Sequence, residues 1–361
     1  MDAAMNALAR RIEELIAAEG PLSVAQYMTI CLHDPEAGAY AARQNIGRDF
    51  ITAPEISQAF GEMLGLWVVQ CWHDQGRPAA PRLVELGPGR GTMMSDALRA
   101  IAAAAPEFLL DGDVVLVESS PVLAAAQREK LENANADIAW APSFDDALAE
   151  RPLYFLANEF FDCLPVRQFV KTQRGWCERM ITVEDGRLAF VLSPVPASDA
   201  PPGRAEAPDG GVYEVSPAAL ALAEETARAV TSLGGAALIV DYGYDAPGFG
   251  ETLQALAHGG PAGVLDEPGT SDLSAHVDFM ALAKAGGEGG AEIYGPASQC
   301  NFLADIGIGP RAERLIIANP LQARTIAAAV DRLVNPAEMG VLFKVLGLAP
   351  KGAPRLPGFG A

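Results

Sequence analysis

Three glycines, Gly87, Gly89 and Gly91, stand at alternate positions in 83-LVELGPGRGTMM-94, after an apolar run that carries Glu85 and before a segment of helical pattern. Glycine tolerates left-handed backbone and lets a ligand approach the main chain with no Cβ in the way. A helix start beyond such a turn aims free N–H groups at whatever lies above it. A dinucleotide fingerprint, G-x-G-x-x-G, would need its third glycine at position 92, which is Thr92, and a P-loop needs G-K-S/T, which GRGT lacks. The spacing here is G-x-G-x-G with Pro88 inside it, which argues against both ligands. Glu118 closes the next apolar run and is followed by Ser119. A carboxylate at that place in a doubly wound sheet accepts hydrogen bonds from ribose hydroxyls. It lies 27 residues beyond Gly91, more than the roughly 20 of the dinucleotide pattern, and the PEFLLDGD turn between them absorbs the difference. A ribose without a pyrophosphate points to an adenosyl compound with an amino-acid tail, of which S-adenosyl-L-methionine is the common one.

A second constellation follows in 157-ANEFFDCLPVRQF-169, where Asn158, Glu159 and Asp162 bring an amide and two carboxylates together around two phenylalanines. A carboxylate pair can grip a guanidinium in bidentate fashion and orient one nitrogen for in-line displacement at a methyl carbon. An asparagine suits an amide acceptor as well, so chemistry alone leaves the acceptor open. The same residues also suit a helix start, with Asn158 as cap and the acids in the first turn.

The elements that would hold these groups alternate. LVEL (83–86), DVVLVE (113–118), LYFLAN (153–158), AALIVD (236–241) and VLFKVL (341–346) read as strands, and Thr92–Ala105 and Pro121–Asn133 as helices. Strands and helices in alternation imply βαβ units and a parallel sheet, with ligands at the carboxyl ends of the strands. Tyr242 lies at that end of AALIVD, where a site role and packing are equally plausible. Ahead of the sheet, Leu8, Ile12, Leu15 and Ile16 fall on one helical face, Ser23 suits the cap of a second helix to about Leu32, and Pro54 would open a helix to about His73 whose Trp67 and Trp72 are core residues. Residues 164–194 alternate as an antiparallel insert, 195–211 read as a surface loop, and 245–275 as a long irregular segment.

Composition narrows the partners. Half of the 361 residues are hydrophobic, enough for a large core, and 46 acids against 26 lysines and arginines give a net charge of −20. That balance disfavours nucleic acid and anionic membrane surfaces. Five cysteines without a close pair and four scattered histidines suggest neither a disulfide framework nor a metal site. No stretch reaches the roughly 18 apolar residues of a membrane span, and the acids of the first 20 residues do not suit a targeting signal, so a cytoplasmic location is expected. Oligomeric state is not legible.

GRDFITAPEISQAFGEMLG (47–65), VELGPGRGTMMSDALR (84–99), ANEFFDCLPVRQF (157–169), VDYGY (240–244), SDLSAHVDF (271–279) and MGVLFKVL (339–346) resemble, in order and over nearly the whole chain, the family of the mitochondrial complex I assembly-factor methyltransferase, also called the mitochondrial dysfunction protein A family. The resemblance implies an α/β fold, a class I methyltransferase-type doubly wound sheet with an N-terminal helical segment and inserted antiparallel and helical elements. It implies a partition into an N-terminal helical and lid segment (1–79), a methyltransferase domain (80–350) with inserts at about 164–215 and 245–310, and a flexible tail (351–361). It further implies S-adenosyl-L-methionine as cofactor, held by Thr52, Pro54, Glu85, Gly87, Pro88, Gly89, Gly91, Glu118 and Ser119. Asn158, Glu159 and Asp162 would be catalytic, and Glu55, Tyr242, His276 and Asp278 would border the acceptor. The mitochondrial member symmetrically dimethylates arginine on the 49-kDa core subunit of respiratory complex I, which suggests a protein acceptor of that type here. Ala257 stands where the family usually carries an arginine before the histidine, here His258. Methylation of a small molecule or another side chain, and a non-catalytic assembly factor with a vestigial cofactor turn, are the alternatives.

Overall fold

A computed structural model describes residues 5–42, 52–198, 207–246, 248–257 and 259–360. The start of the lid segment (Phe50, Ile51), part of the 195–211 loop and His258 lie outside the described residues. The chain folds into two compact units, each assembled from three stretches of sequence: Met1–Asn45, Asp162–Ala219 and Ala246–His276 form one, and Ile46–Phe161, Leu220–Asp245 and Val277–Ala361 the other. This differs from the linear partition at residue 79, because the helix Gln58–Asp74 packs with the sheet unit while residues 5–42 join the inserts.

The larger unit is built on a sheet whose main strands are β1 Arg82–Leu86, β2 Asp113–Val117, β3 Ile138–Ala141, β4 Leu153–Asn158, β5 Gly235–Tyr244, β6 Glu292–Ser298 and β7 Phe343–Ala349. Their order across the sheet is β3-β2-β1-β4-β5-β7-β6, parallel except for β7, which runs antiparallel to both of its neighbours. Val277–Asp278 adds a short parallel pairing at the end of β5. β4 and β7 are buried at every position, as strands covered on both faces must be, and their sequences are accordingly runs of apolar residues rather than alternations. Strand order reverses between β1 and β4, so the switch point of the sheet lies at the carboxyl ends of the strands that lead into Gly87 and Glu159.

The helices Gln58–Asp74 and Thr92–Ala104 pack closely because glycines leave room. A Cβ on Gly61 would lie 2.8 Å from the Met93 carbonyl oxygen, and one on Gly65 would lie 2.6 Å from that of Ala97. The helix expected to run unbroken from Pro54 to His73 is interrupted: Ala53–Ile56 is one turn, Ser57 is extended (φ −150°), and its side chain accepts from Ala59 N–H to cap the second helix. A serine that can satisfy a helix N-terminus competes with helix continuation, which explains the break. Trp67 and Trp72 are buried as expected. The 351–361 segment, expected to be a flexible tail, instead puts Leu356 into the core and offers the Pro357 carbonyl to Trp67 Nε1 at 3.1 Å. Between β6 and β7 the chain makes four α-helices, Gln299–Asp305, Ile308–Ala318, Ala323–Val334 and the short Met339–Leu342. They are anchored by Arg311, whose Nε donates to the buried Glu62 carboxylate at 2.7 Å while Arg99 donates to its other oxygen at 2.9 Å. Burial alone would raise the Glu62 pKa, but the two guanidinium groups hold it below the usual range.

In the smaller unit, helices Met5–Glu19 and Val24–His33 cover an antiparallel sheet centred on Gly175–Glu184, with Arg167–Thr172 and Arg187–Leu192 paired to it. Leu8, Ile12 and Ile16 are buried, and Ser23 and Gln26 form a reciprocal capping box. Residues 245–275 are more regular than their glycine and proline content suggests. Gln254–Ala257, Gly260–Ala262 and Asp272–Ser274 make a three-stranded antiparallel sheet, held at Thr252 and Leu253 by the buried Glu214, which accepts from both backbone N–H groups at 3.1 and 3.2 Å.

Candidate functional site

Gly87, Gly89 and Gly91 all adopt left-handed φ, +64°, +53° and +76°, and the turn ends in the Gly91 N-cap of Thr92–Ala104. The turn is crowded at one glycine and open at another. A Cβ on Gly87 would come within 2.4 Å of the Phe160 ring, and one on Gly89 would meet nothing within 4 Å, so the turn is open above Gly89. Pro88 is buried and its carbonyl accepts from Gly91 N–H at 2.8 Å, which closes the turn.

Glu118 turns inward to this cradle. Ser120 N–H donates to its Oε1 at 2.7 Å and Gln127 Nε2 to its Oε2 at 3.0 Å. Burial raises its pKa, and these two hydrogen bonds and one from the Ser119 backbone restrain the rise. The Ser119 side chain itself is exposed. Glu85, at the end of β1, is 2% exposed and its Oε2 meets no hydrogen-bond partner among the described residues. Burial, and then the charge of Glu118, push its pKa from an ordinary 4.5 up to about 8. Folding therefore keeps Glu85 protonated where the unfolded chain would ionise it, so the ligand-free protein loses stability as pH rises between about 4.5 and 8. A cation beside Glu85 restores the charged form, so affinity for a cationic ligand rises over the same interval. Glu85→Gln is expected to flatten both trends, to raise the ligand-free Tm at pH 8 and to weaken S-adenosyl-L-methionine binding by about tenfold or more. Melting curves of both proteins from pH 5 to 8.5, with and without that ligand, check this.

Beside the glycine turn, β4 ends in Asn158 and the chain turns sharply. Glu159 has φ +50°, a conformation that costs a non-glycine residue about 1–3 kcal/mol. Asp241, wholly buried within β5, over-determines it: one carboxylate oxygen accepts from Phe160 and Phe161 N–H at 3.1 and 3.0 Å, the other from Tyr242 N–H at 2.9 Å. Glu159 N–H adds a bond to the Val240 carbonyl at 2.9 Å. No helix begins at Asn158, so capping is not its role. Its Nδ2 donates to Glu159 Oε1 at 3.0 Å, and its buried Oδ1 has no partner among the described residues. Glu159 Oε1 also accepts from Ala53 N–H at 3.0 Å, and Glu55 Oε1 accepts from Thr92 Oγ1 at 2.6 Å. Those two bonds bring the Thr52–Glu55 turn to the site, with Thr52 as its N-terminal residue and Pro54 buried in its first turn.

The other expected residues have different surroundings. The ring of Tyr242 packs edge-on against Phe343 at 5.5 Å. Asp278 caps Phe279–Glu288 by accepting from Ala281 N–H at 3.0 Å, a structural duty that its place before an apolar helix could have announced. Asp162 and His276 belong to the smaller unit. There the Asp162 carbonyl accepts from Ala275 N–H at 2.9 Å, and His276 N–H donates to Thr252 Oγ1 at 2.8 Å. Burial lowers the His276 pKa. Sequence reasoning missed Asp241 and Gln127. Asp241 had a signal, a lone acid ending an apolar strand, whereas Gln127 in the middle of a helix had none.

Among the described residues no group of three or more His, Cys, Asp or Glu gathers as metal ligands, and no helix is long and apolar enough to cross a membrane. The donor set fits an adenosyl sulfonium instead. The unpaired buried oxygen of Glu85 calls for a cation, Glu118 offers a carboxylate for ribose hydroxyls, and the space over Gly89 admits a ligand against bare backbone. Known proteins agree. A family described as putative S-adenosyl-L-methionine-dependent methyltransferase matches residues 63–297. The mitochondrial protein arginine methyltransferase NDUFAF7 of Homo sapiens is 36% identical over 374 residues, covering 94% of this chain and 83% of the relative. That of Danio rerio is 35% identical over 365 residues, covering 94% and 86%. A crystal structure from Burkholderia thailandensis, of a methyl transferase candidate bound to S-adenosyl-homocysteine, superposes with a TM-score of 0.85 at 31% identity, covering 98% of this chain and 94% of that one. With a cofactor cradle of this chemistry at the switch point of a 3-2-1-4-5-7-6 sheet, and relatives matching over nearly its whole length, the chain belongs to the family of S-adenosyl-L-methionine-dependent methyltransferases.

Proposed function

We propose that the protein transfers methyl groups from S-adenosyl-L-methionine to an arginine of a protein partner, giving symmetric dimethylarginine, with a respiratory complex I core subunit of the 49-kDa type as the first acceptor to assay. The observation that carries this reading is the pairing of Asn158 and Glu159. Asn158 Nδ2 donates to Glu159, and its buried Oδ1, which meets no partner among the described residues, stands beside that carboxylate. Both are hydrogen-bond acceptors, and they call for a group made only of N–H donors. Guanidinium has five such donors in a planar fork and no acceptor. The relatives named protein arginine methyltransferases support the same choice.

Glu85, Glu118 and the glycine turn would hold the cofactor, which supplies an electrophilic methyl carbon on a sulfonium. Glu159 and Asn158 then fix the guanidinium so that one nitrogen faces that carbon, and alignment of this kind removes much of the entropic part of the barrier. The strained Glu159 backbone, pinned by Asp241, makes the carboxylate a fixed rather than a searching group. Asp241→Asn should leave an N–H-donating amide facing backbone N–H groups. It is expected to lower stability by about 2–3 kcal/mol and to cut turnover in proportion to the misplacement of Glu159, read by denaturant unfolding and by initial rates.

The test of function uses the purified protein, isotopically labelled cofactor and a panel of recombinant complex I subunits, followed by fragmentation mass spectrometry. Label on arginine with the symmetric neutral-loss pattern supports the proposal. Label confined to small molecules or to other side chains would overturn it.

A further inference from the structure

We infer that Gln127 is a positioning residue for the ribose of the cofactor, acting through Glu118. It lies on the helix Pro121–Leu131, wholly buried, and its amide makes three hydrogen bonds. Trp140 Nε1 donates to its Oε1 at 2.9 Å; its Nε2 donates to Glu118 Oε2 at 3.0 Å and to the Gly89 carbonyl at 2.7 Å. An indole N–H can only donate, so it dictates which end of the amide faces β3 and leaves the NH2 group for the two acceptors on the other side. The amide therefore cannot rotate to its flipped form without losing all three bonds. The methylene part of the same side chain lies 3.5 Å from where a Cβ on Gly91 would stand. One side chain thus ties together the glycine turn and the acid that follows β2, two segments 27 residues apart in sequence.

The consequence for Glu118 is geometric. Ser120 N–H donates to one of its oxygens and Gln127 to the other, and the Ser119 backbone adds a third hydrogen bond. A carboxylate has about four lone-pair sites, so one remains for a ligand hydroxyl, in a plane set by the protein donors. Without Gln127, the carboxylate is held only by the adjacent backbone of Ser119 and Ser120 and can turn about its own side-chain torsions. The Gly89 carbonyl, at the open point of the cradle, loses its donor too. Gln127 need not touch the cofactor to do this.

The role rests on Glu118 as the ribose acid, and the experiment separates the two claims. Kd is measured calorimetrically for S-adenosylhomocysteine and for its 2′-deoxyribosyl analogue, with the wild type, Gln127→Leu and Trp140→Phe. The wild type is expected to prefer the parent ligand by about 10- to 100-fold, the range of a hydrogen bond to a charged group. In Gln127→Leu that preference should shrink at least fivefold, because a carboxylate free to turn no longer distinguishes the two sugars. Trp140→Phe keeps Gln127 but removes the indole donor that orients it, and it should shrink the ratio in the same direction. This second variant also reads the proposal if Gln127→Leu does not fold. A purely structural role would weaken both ligands equally, so a wild-type ratio retained in the variants would overturn the role of Gln127 alone. A wild-type ratio near one would overturn the placement of Glu118 and the role of Gln127 with it.

Discussion

Glu159→Gln should lower kcat for methyl transfer by about 10²–10³-fold, the loss typical of one preorganised charged or polar contact in an active site, and leave the Kd for S-adenosylhomocysteine within a factor of a few. The substitution is chosen because it preserves shape. Glutamine can still accept from Ala53 N–H and Asn158 Nδ2 through its carbonyl oxygen, so the two bonds that hold the side chain survive. What disappears is the negative charge, and the new NH2 group points donors where the acceptor guanidinium has only donors of its own. Rates with saturating cofactor and titrated protein acceptor, beside calorimetry with the product, separate the two effects. Undiminished turnover would remove Glu159 from the chemistry.

Gly87→Val should abolish detectable cofactor binding, a loss of at least about 100-fold. The valine must sit at φ +64°, where an L side chain costs about 1–2 kcal/mol, and its Cβ starts 2.4 Å from Phe160 Cδ2. The ring can yield only by swinging away from its present place over the turn. A lower Tm, by a few degrees, should accompany the loss. The double variant Gly87→Ala with Phe160→Ala dissects it: removing the ring relieves the clash but leaves the backbone strain, so binding returns only in part. Normal binding by Gly87→Val would show that the ligand does not rest on this turn.

Much of this arrangement was legible in the sequence, for a physical reason. The glycine spacing, Glu118 and the long apolar strands are local signals: a turn that needs left-handed residues, an acid that ends a strand, a segment buried on both faces. What escaped was set by partners distant in sequence or by weak local pattern. IAWA, now β3, is four residues long and partly exposed, and in β6 a Gly-Pro pair interrupts the strand register between Tyr294 and Ala297. Residues 245–275 looked irregular because their strands are only three or four residues long. Ser57 broke a helix that periodicity alone would continue. Asp278 caps the helix Phe279–Glu288, a duty that the family pattern alone did not announce. The site residues that were missed, Gln127 and Asp241, act by holding other residues, and a holding role has no signature until its partners are known.

The order of the strands has a consequence for biosynthesis. β7 leaves the ribosome after both β5 and β6, yet it lies between them in the sheet. Until residues 343–349 emerge, β5 presents an unpaired, largely apolar edge and β6 has no neighbour in the sheet to join. Such an edge is prone to pair with other chains, and long-range pairings of this kind form slowly. The nascent chain must therefore wait, with its sheet partly open, for residues 343–349, and a chaperone that shields β-edges would act in that interval.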